Sequence, residues 1–180
     1  MFTARKILCT PQLFRRKNMK KIIVAGCPGS GKSTFARKLQ QKTGLPLYYL
    51  DMIWHKPDKT TLTDEEFDAR LQEIVARKEW IIDGNYSRTL EARLQACDAA
   101  FVFDLPLEEC LAGARARVGT KRIDMPWEET ELSEEFLNYI LTFPQQKLPR
   151  LLRLADKYSA EKEVVVFHTR QESDDYIAKL

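Results

Sequence analysis

Gly26-Cys27-Pro28-Gly29-Ser30-Gly31-Lys32-Ser33-Thr34 is the one stretch of this 180-residue chain whose residue types and spacing dictate a chemistry by themselves. It meets the pattern G-x-x-x-x-G-K-[ST] at every fixed position. Glycines at 26, 29 and 31 open backbone dihedrals that let successive N–H groups point at one anion. A helix starting there would aim its positive dipole end at the same anion. Lys32 supplies a mobile ammonium for β- and γ-phosphates, and the Ser33 hydroxyl is placed to ligate Mg²⁺. The ligand implied is ATP with Mg²⁺. Cys27 lies beside Lys32 and a helix N-terminus, a setting that lowers a thiol pKa, or is simply an unconstrained loop position.

The elements around the loop can be read from periodicity. Lys21–Ala25 is an apolar run suited to a buried strand, and Phe35 and Leu39 share one helical face after it. That helix is expected to stop at Gly44, just before Pro46. Leu47–Leu50 reads as a second strand that delivers Asp51, the first acidic residue of the chain, to its C-terminal end. In open α/β sheets ligands bind at that edge, although a turn or helix cap would also account for an aspartate there. Thr63 and Glu66 form a capping box, with Leu62 and Phe67 as its hydrophobic staple, ahead of a helix faced by Phe67, Leu71, Ile74 and Val75. Arg70 and Arg77 fall off that face and read as solvated.

Trp80–Gly84 is the third expected strand, and Asp83 at its end suits a carboxylate that holds Mg²⁺ through water. A fourth strand is expected over Ala99–Pro106, bringing another aspartate, Asp104, to its end, followed by a helix with Leu107, Cys110, Leu111, Ala114 and Val118 on one side. Arg115, Arg117, Lys121 and Arg122 then give way to Asp124, Glu128, Glu129, Glu131, Glu134 and Glu135 in a loop without periodicity. Ser133 caps the next helix, which Pro144 and Pro149 interrupt. Glu163–His168 is the fifth strand, and a short last helix is expected from near Ser173. Strand and helix alternate throughout, which predicts an α/β fold: a five-stranded parallel sheet with helices on both faces, in one domain over 19–180 with a short lid near 119–132.

Composition narrows the function classes. The net charge of +3 is carried by residues 1–18, which hold five basic residues and no acids; the remainder has 24 basic against 26 acidic residues, a net of −2. The core therefore has no general electrostatic bias toward nucleic acid, whose binding draws on clustered Lys and Arg. Residues 1–18 lack periodicity and read as an extension outside the fold, as a targeting peptide or as a basic arm. No apolar run is long enough to span a bilayer. Four cysteines without metal-ligand spacing suit a reduced, cytoplasmic protein.

From Met19 onward the chain resembles the P-loop nucleoside and nucleotide kinases, the group of adenylate kinase and shikimate kinase. It is most similar to the adenylate-kinase-related DNA topology modulation proteins. The marks are GCPGSGKST at 26–34, LDMIW at 50–54, WIIDGNYSRT at 80–89, FDLP at 103–106 and FP at 143–144. The resemblance implies the P-loop NTPase fold, with Asp83-Gly84 and Arg88 standing where adenylate kinase has its Asp-Gly and Arg. Two departures bear on the acceptor: Trp54 occupies the place of a monophosphate-binding arginine, and the loop near 119–132 is shorter than adenylate kinase's lid.

Two functions follow as expectations. In the first, a phosphotransferase moves the ATP γ-phosphoryl to a small-molecule acceptor, a nucleotide or a hydroxylated metabolite, with Lys32, Asp51, Arg115 and Arg117 catalytic, Ser33 and Asp83 on the metal, and Asp51, Trp54, Gly84 and Arg88 on the acceptor. Arg115 and Arg117, joined by Arg122, would then close over the transferring group, unless they are only a solvated helix face. The second is a nucleotide-dependent regulatory ATPase associated with DNA topology. The acceptor and the oligomeric state are not legible in the sequence.

Overall fold

The computed structural model describes residues 19–180; the expectations for residues 1–18 lie outside the described residues. Five strands, β1 (Lys21–Gly26), β2 (Leu47–Tyr49), β3 (Trp80–Asp83), β4 (Ala99–Phe103) and β5 (Glu163–Phe167), form one all-parallel sheet in the order β2-β3-β1-β4-β5. The expected sheet is the observed one. The central strand is KIIVAG, and its buried residues alternate between two cores: Ile22 and Val24 face one side, Ile23 and Ala25 the other. Both faces of β1 are thus covered, which is why it reads as a continuous apolar run.

One face packs against α1 (Lys32–Thr43), α5 (Leu107–Arg115), α6 (Glu134–Gln146) and α8 (Arg170–Lys179), through Phe35 and Leu39, Cys110 and Ala114, Phe143 and Ile177. The other is covered by α3 (Asp64–Val75), α4 (Leu90–Ala96) and α7 (Leu148–Tyr158), through Phe67, Leu71, Leu94 and Leu151. Phe35 sits among Phe101, Phe103 and Phe167, with ring centroids 5.0 to 5.5 Å away, so the first turn of α1 is pinned to β4 and β5.

Several helix ends follow their expected signals. Gly44 ends α1 with φ 72°, and its N–H donates to the Gln40 carbonyl. Thr63 and Glu66 make both bonds of the capping box on α3, and Ser133 accepts from the Phe136 N–H at the start of α6. Contrary to expectation, α6 does not break at Pro144 but runs on to Gln146; the helices separate at Lys147, and Pro149 falls in the first turn of α7, where a missing N–H costs little.

Further boundaries differ from expectation. Leu50–Trp54 is a short helix, α2, so the second strand stops at Tyr49 and Asp51 sits in the first turn of α2. The helix after β4 ends at Arg115, leaving Val118 in a turn. The last helix begins at Arg170, not near Ser173, because Thr169 and Glu172 form a second capping box; the Ser173 hydroxyl donates back to the Arg170 carbonyl. Between α5 and α6, residues 116–133 form turns without a helix or strand.

Thr169→Ala is expected to remove a cap and cost about 1 kcal/mol, which for a chain of this size lowers Tm by roughly 2–4 °C. Thr169→Ser should retain most of the stability. Equal losses in the two variants by calorimetry would show that the hydroxyl is not the capping group.

Candidate active site

The phosphate loop links β1 to α1, and its shape comes from contacts with three other elements. Asn85 brackets its first residue: Asn85 Oδ1 accepts from the Gly26 N–H at 3.0 Å, and Asn85 Nδ2 donates to the Gly26 carbonyl at 2.9 Å. From α8, Arg170 donates to the carbonyls of Gly29 and Glu109, both at 3.1 Å, tying the loop to α5. Gly29 has φ 80°, and a Cβ there would lie 2.0 Å from the Cys110 carbonyl oxygen. Gly113 of α5 meets the loop from the opposite side, where a Cβ would lie 2.1 Å from the Gly29 oxygen. No side chain fits between loop and helix.

Two cavities open on the loop. The first, of about 630 Å³, is lined by Gly29 through Thr34, by Lys38 and Arg170, and by Arg117, Arg122 and Asp124 of the 116–133 region. The second, of about 700 Å³, is lined by Pro28 and Lys32, by Asp51 and His55, by Gly84 through Ser87, and by the aromatic faces of Trp127, Phe136 and Tyr139. Lys32, Arg117 and Arg122 line both. A group held between these three cations is accessible from either side.

Asp83 closes β3, paired with Val24 of β1, and is buried. Burial pushes its carboxyl pKa up to about 6 even though Lys32 and Ser33 draw it down. Its Oδ1 has no hydrogen-bond partner. A buried carboxylate with a vacant oxygen beside a lysine and a serine hydroxyl fits a hydrated divalent cation. Asp124 is buried near Ser33 as well; burial works against its charge, but Arg122 holds its pKa down at about 2.

Asp51 lines the second cavity and accepts a hydrogen bond from the Tyr86 hydroxyl at 3.0 Å. Tyr86 takes a positive φ of 34°, uncommon for a large side chain. The loop around it is held by Arg93, which is 0% exposed and donates to the carbonyls of Gly84, Asn85 and Tyr86.

Of the residues singled out in the sequence, Gly29, Ser30, Gly31, Lys32, Ser33 and Thr34 line the first cavity, and Lys32, Asp51, Gly84 and Arg117 the second. Gly26 and Cys27 are buried behind the loop. The Cys27 thiol has its pKa raised, by a hydrogen bond with Cys110 and by burial, and the charge of Lys32 does not offset them. Three residues stand apart. Arg88 is engaged by Asp64 at 2.9 Å and by Asp68, both on α3, and lines neither cavity. Trp54, at the end of α2, is half-buried and packs edge-on to Phe67, centroids 5.3 Å apart, against the core; it lines neither cavity. Arg115 is exposed at the end of α5.

Asn85, Asp124, Trp127 and Arg170 carry much of the geometry without having been singled out for it. Asn85 had a signal, since it follows Asp83-Gly84 within a quoted motif. Arg170 is 141 positions from the carbonyl it binds, and no local pattern marks it.

Comparison with known proteins agrees with this architecture. A family model described as the viral superfamily 1 RNA helicase core domain matches residues 22–103, which span β1 through β4. Adenylate kinase from Thermotoga maritima (strain ATCC 43589 / DSM 3109 / JCM 10099 / NBRC 100826 / MSB8) is 30% identical over 88 residues, 48% of this chain and 39% of that protein. That from Thermotoga neapolitana is 28% identical over the same shares. The match thus spans about two fifths of the length of these curated relatives. Among solved structures, shikimate kinase from Bacteroides thetaiotaomicron superposes with TM-score 0.59 at 14% identity, over 89% of this chain and 95% of that one. A gluconokinase from Sinorhizobium meliloti 1021 gives 0.55 at 16% identity, over 91% and 90%. The chain has the P-loop kinase fold.

Two variants test the site as built. Gly113→Ala should be favourable by about 1 kcal/mol on helix propensity alone, but the Gly29 carbonyl stands where the methyl would go. Overpacking of that kind costs roughly 1–3 kcal/mol, so we expect a lower Tm together with weaker nucleotide binding; a rise in Tm would refute the close contact. Asp83→Asn should do the reverse without metal. A carboxyl whose folded pKa lies above its unfolded one loses stability as pH rises from about 4 to about 6. In chelator-treated protein at pH 7 the asparagine variant should therefore be more stable by about 1–3 kcal/mol, and the gain should vanish near pH 4. An equal difference at both pH values would show that Asp83 titrates normally.

Proposed function

We propose that the protein is an ATP-dependent phosphotransferase that moves the γ-phosphoryl of ATP to the hydroxyl of a small molecule. One observation carries this reading: two cavities of similar size meet at Lys32, Arg117 and Arg122. A nucleotidase needs only one such space. The first cavity, with the glycine-rich loop and the N-terminus of α1, takes the triphosphate; the second takes the acceptor.

The donor is bound by loop N–H groups and by Lys32, with Arg170 keeping the loop in shape. Ser33 and Asp83 would hold Mg²⁺, which when bound neutralises phosphate charge. On the acceptor side Asp51 receives the hydroxyl proton as that oxygen bonds to the γ-phosphorus and the bond to the β-phosphate oxygen breaks, leaving ADP. Tyr86 orients the Asp51 carboxylate through its hydroxyl. Arg117 and Arg122 face the transferring group, where charge spreads over the equatorial oxygens. Arg122 is held by Asp124 and Glu129, at 2.9 and 2.6 Å, so turning it toward phosphate exchanges carboxylate partners for phosphoryl oxygens.

A regulatory ATPase acting on DNA is the competing reading. The helicase-type match ends at residue 103, before the loop and helix that complete the second cavity. A net charge of −2 over residues 19–180 also gives no bulk attraction for a polyanion.

Lys32→Ala should leave a folded protein that neither hydrolyses ATP nor transfers from it. Asp51→Asn should retain Mg·ATP affinity and lose transfer by roughly 10²–10⁴-fold, and the acidic limb of the pH–rate profile should disappear with it. Loss of Mg·ATP binding in Asp51→Asn would move Asp51 to the metal side and remove the hydroxyl-acceptor assignment.

A further inference from the structure

The second cavity bears on what the acceptor can be, given the phosphotransferase reading on which this inference rests. Recognition of a phosphate or carboxylate ordinarily relies on a guanidinium fork, which binds such groups through two parallel hydrogen bonds. Of the two arginines that line the cavity, Arg122 is hydrogen-bonded to carboxylates, whereas Arg117 is within ion-pair range of Glu129 only and its Nε has no hydrogen-bond partner. Arg122 donates to Asp124 at 2.9 and 3.0 Å and to Glu129 at 2.6 Å; Arg117 lies 3.6 Å from Glu129 and over the Phe136 ring at 5.1 Å. They also sit at the mouth shared with the triphosphate cavity, where a transferring phosphoryl group would claim them. Arg88, the nearest motif arginine, is bound to α3 outside the cavity.

What then faces an acceptor is acidic and aromatic. Asp51, Glu128, Glu131 and Glu135 line the cavity, and the last three have no ion-pair partner among the described residues. The full lining is balanced, five carboxylates against five cations, but three of those cations, Lys32, Arg117 and Arg122, sit at the junction with the triphosphate cavity, and Glu129 pairs with the two arginines. Away from that junction the four carboxylates face only Lys59 and Lys147, so with the donor site filled an acceptor anion would meet a field of its own sign, whereas a neutral ring would not and an ammonium would be drawn in. The aromatic wall has the complementary geometry. Trp127 stands edge-on to His55, centroids 4.9 Å apart, and Tyr86, Phe136 and Tyr139 line the same space. Such rings offer flat faces to a nucleobase or to the C–H face of a sugar, and a π-surface to a cation. Asp51 requires a hydroxyl that still carries its proton.

We propose that the acceptor is an uncharged or amine-bearing, polyhydroxylated ring compound, and that phosphorylated and carboxylated compounds are discriminated against. The feature shared by its two natural sources, nucleosides and sugars, is a hydroxylated ring without an anionic group.

The test uses matched pairs on the full chain with Mg²⁺ and a non-hydrolysable ATP analogue filling the donor site, read by calorimetry. The pairs are guanosine with its 5′-monophosphate, glucose with gluconate, and glucosamine with its 6-phosphate. In parallel, each compound is assayed for ADP release with Mg·ATP. In at least one pair the uncharged or amine-bearing member should bind at least tenfold more tightly than its anionic partner, and the pair concerned distinguishes a nucleoside from a sugar. If glucosamine is a ligand, Glu131→Gln combined with Glu135→Gln should weaken it several-fold and leave glucose unchanged. Preferential binding of the anionic members, or no binding in any pair, overturns the proposal. ADP release driven by the monophosphate or gluconate overturns it while leaving the phosphotransferase reading intact. Binding of the uncharged members without ADP release supports the acceptor class and counts against phosphoryl transfer.

Discussion

The contact between the phosphate loop and α5 is the constraint on which the rest of the site depends. Gly29 and Gly113 approach so closely that a methyl group on either would stand about 2 Å from a backbone oxygen of the other element. Interiors packed at this density have no slack to absorb such an intrusion. The contact fixes the loop against the helix that leads into the 116–133 region, so the angle at which Arg117 and Arg122 enter depends on the same spacing. Arg170 reinforces it from α8 by bonding one carbonyl on each side of the seam. Asn85 does the same from β3, bonding both polar groups of the first loop residue. Loop, metal-side strand and arginine-bearing segment are thereby held in one frame.

The sheet shows why that frame could be assembled at the ends of strands. Its order places β1 between β3 and β4, so the phosphate loop emerges beside Asp83 on one side and above α5 on the other. Asp51 follows the edge strand β2, one step further out. The phosphate loop and Asp51 are thus separated along the sheet by strand position, which under the proposed function would keep donor and acceptor apart. This is the general behaviour of open parallel sheets, whose ligands collect outside the carboxyl ends of the strands.

Much of this was legible in the sequence because it is local. β1, the loop and α1 are contiguous, and their pattern carries both shape and chemistry. The capping residues Thr63, Ser133 and Gly44 act within four positions of themselves. What sequence reasoning did not reveal depends on neighbours distant in the chain. Tyr49-Leu50-Asp51 could extend a strand or open a helix, and the short α2 makes contacts with both β2 and α3 that no periodicity of five residues reveals. Arg88 has the motif position of a ligand-binding arginine, yet Asp64 and Asp68, some twenty residues earlier, compete for it on α3. Trp54 was a candidate for stacking on an acceptor; the rings of Phe67 and Tyr86 hold it half-buried against the core, outside both cavities. His55 and Trp127, far apart in sequence, meet edge-on in the wall of the second cavity.

The charge reversal between residues 115 and 135 reads in the sequence as two blocks of opposite sign, and in the fold the blocks answer one another. Arg122 is shared between Asp124 and Glu129, and Arg117 approaches the same glutamate. A cluster this buried would be costly if any charge lacked a partner, because a desolvated guanidinium recovers its lost hydration only through hydrogen bonds of good geometry. Arg122 has three such bonds. The arrangement keeps two cations at the junction of the cavities while no phosphate is there. It also ties their release to the arrival of an anion strong enough to replace a carboxylate. On the proposed phosphotransferase reading, a triphosphate would offer that charge and an uncharged acceptor would not. The donor would then be the ligand able to reorganise the 116–133 region, ahead of the acceptor.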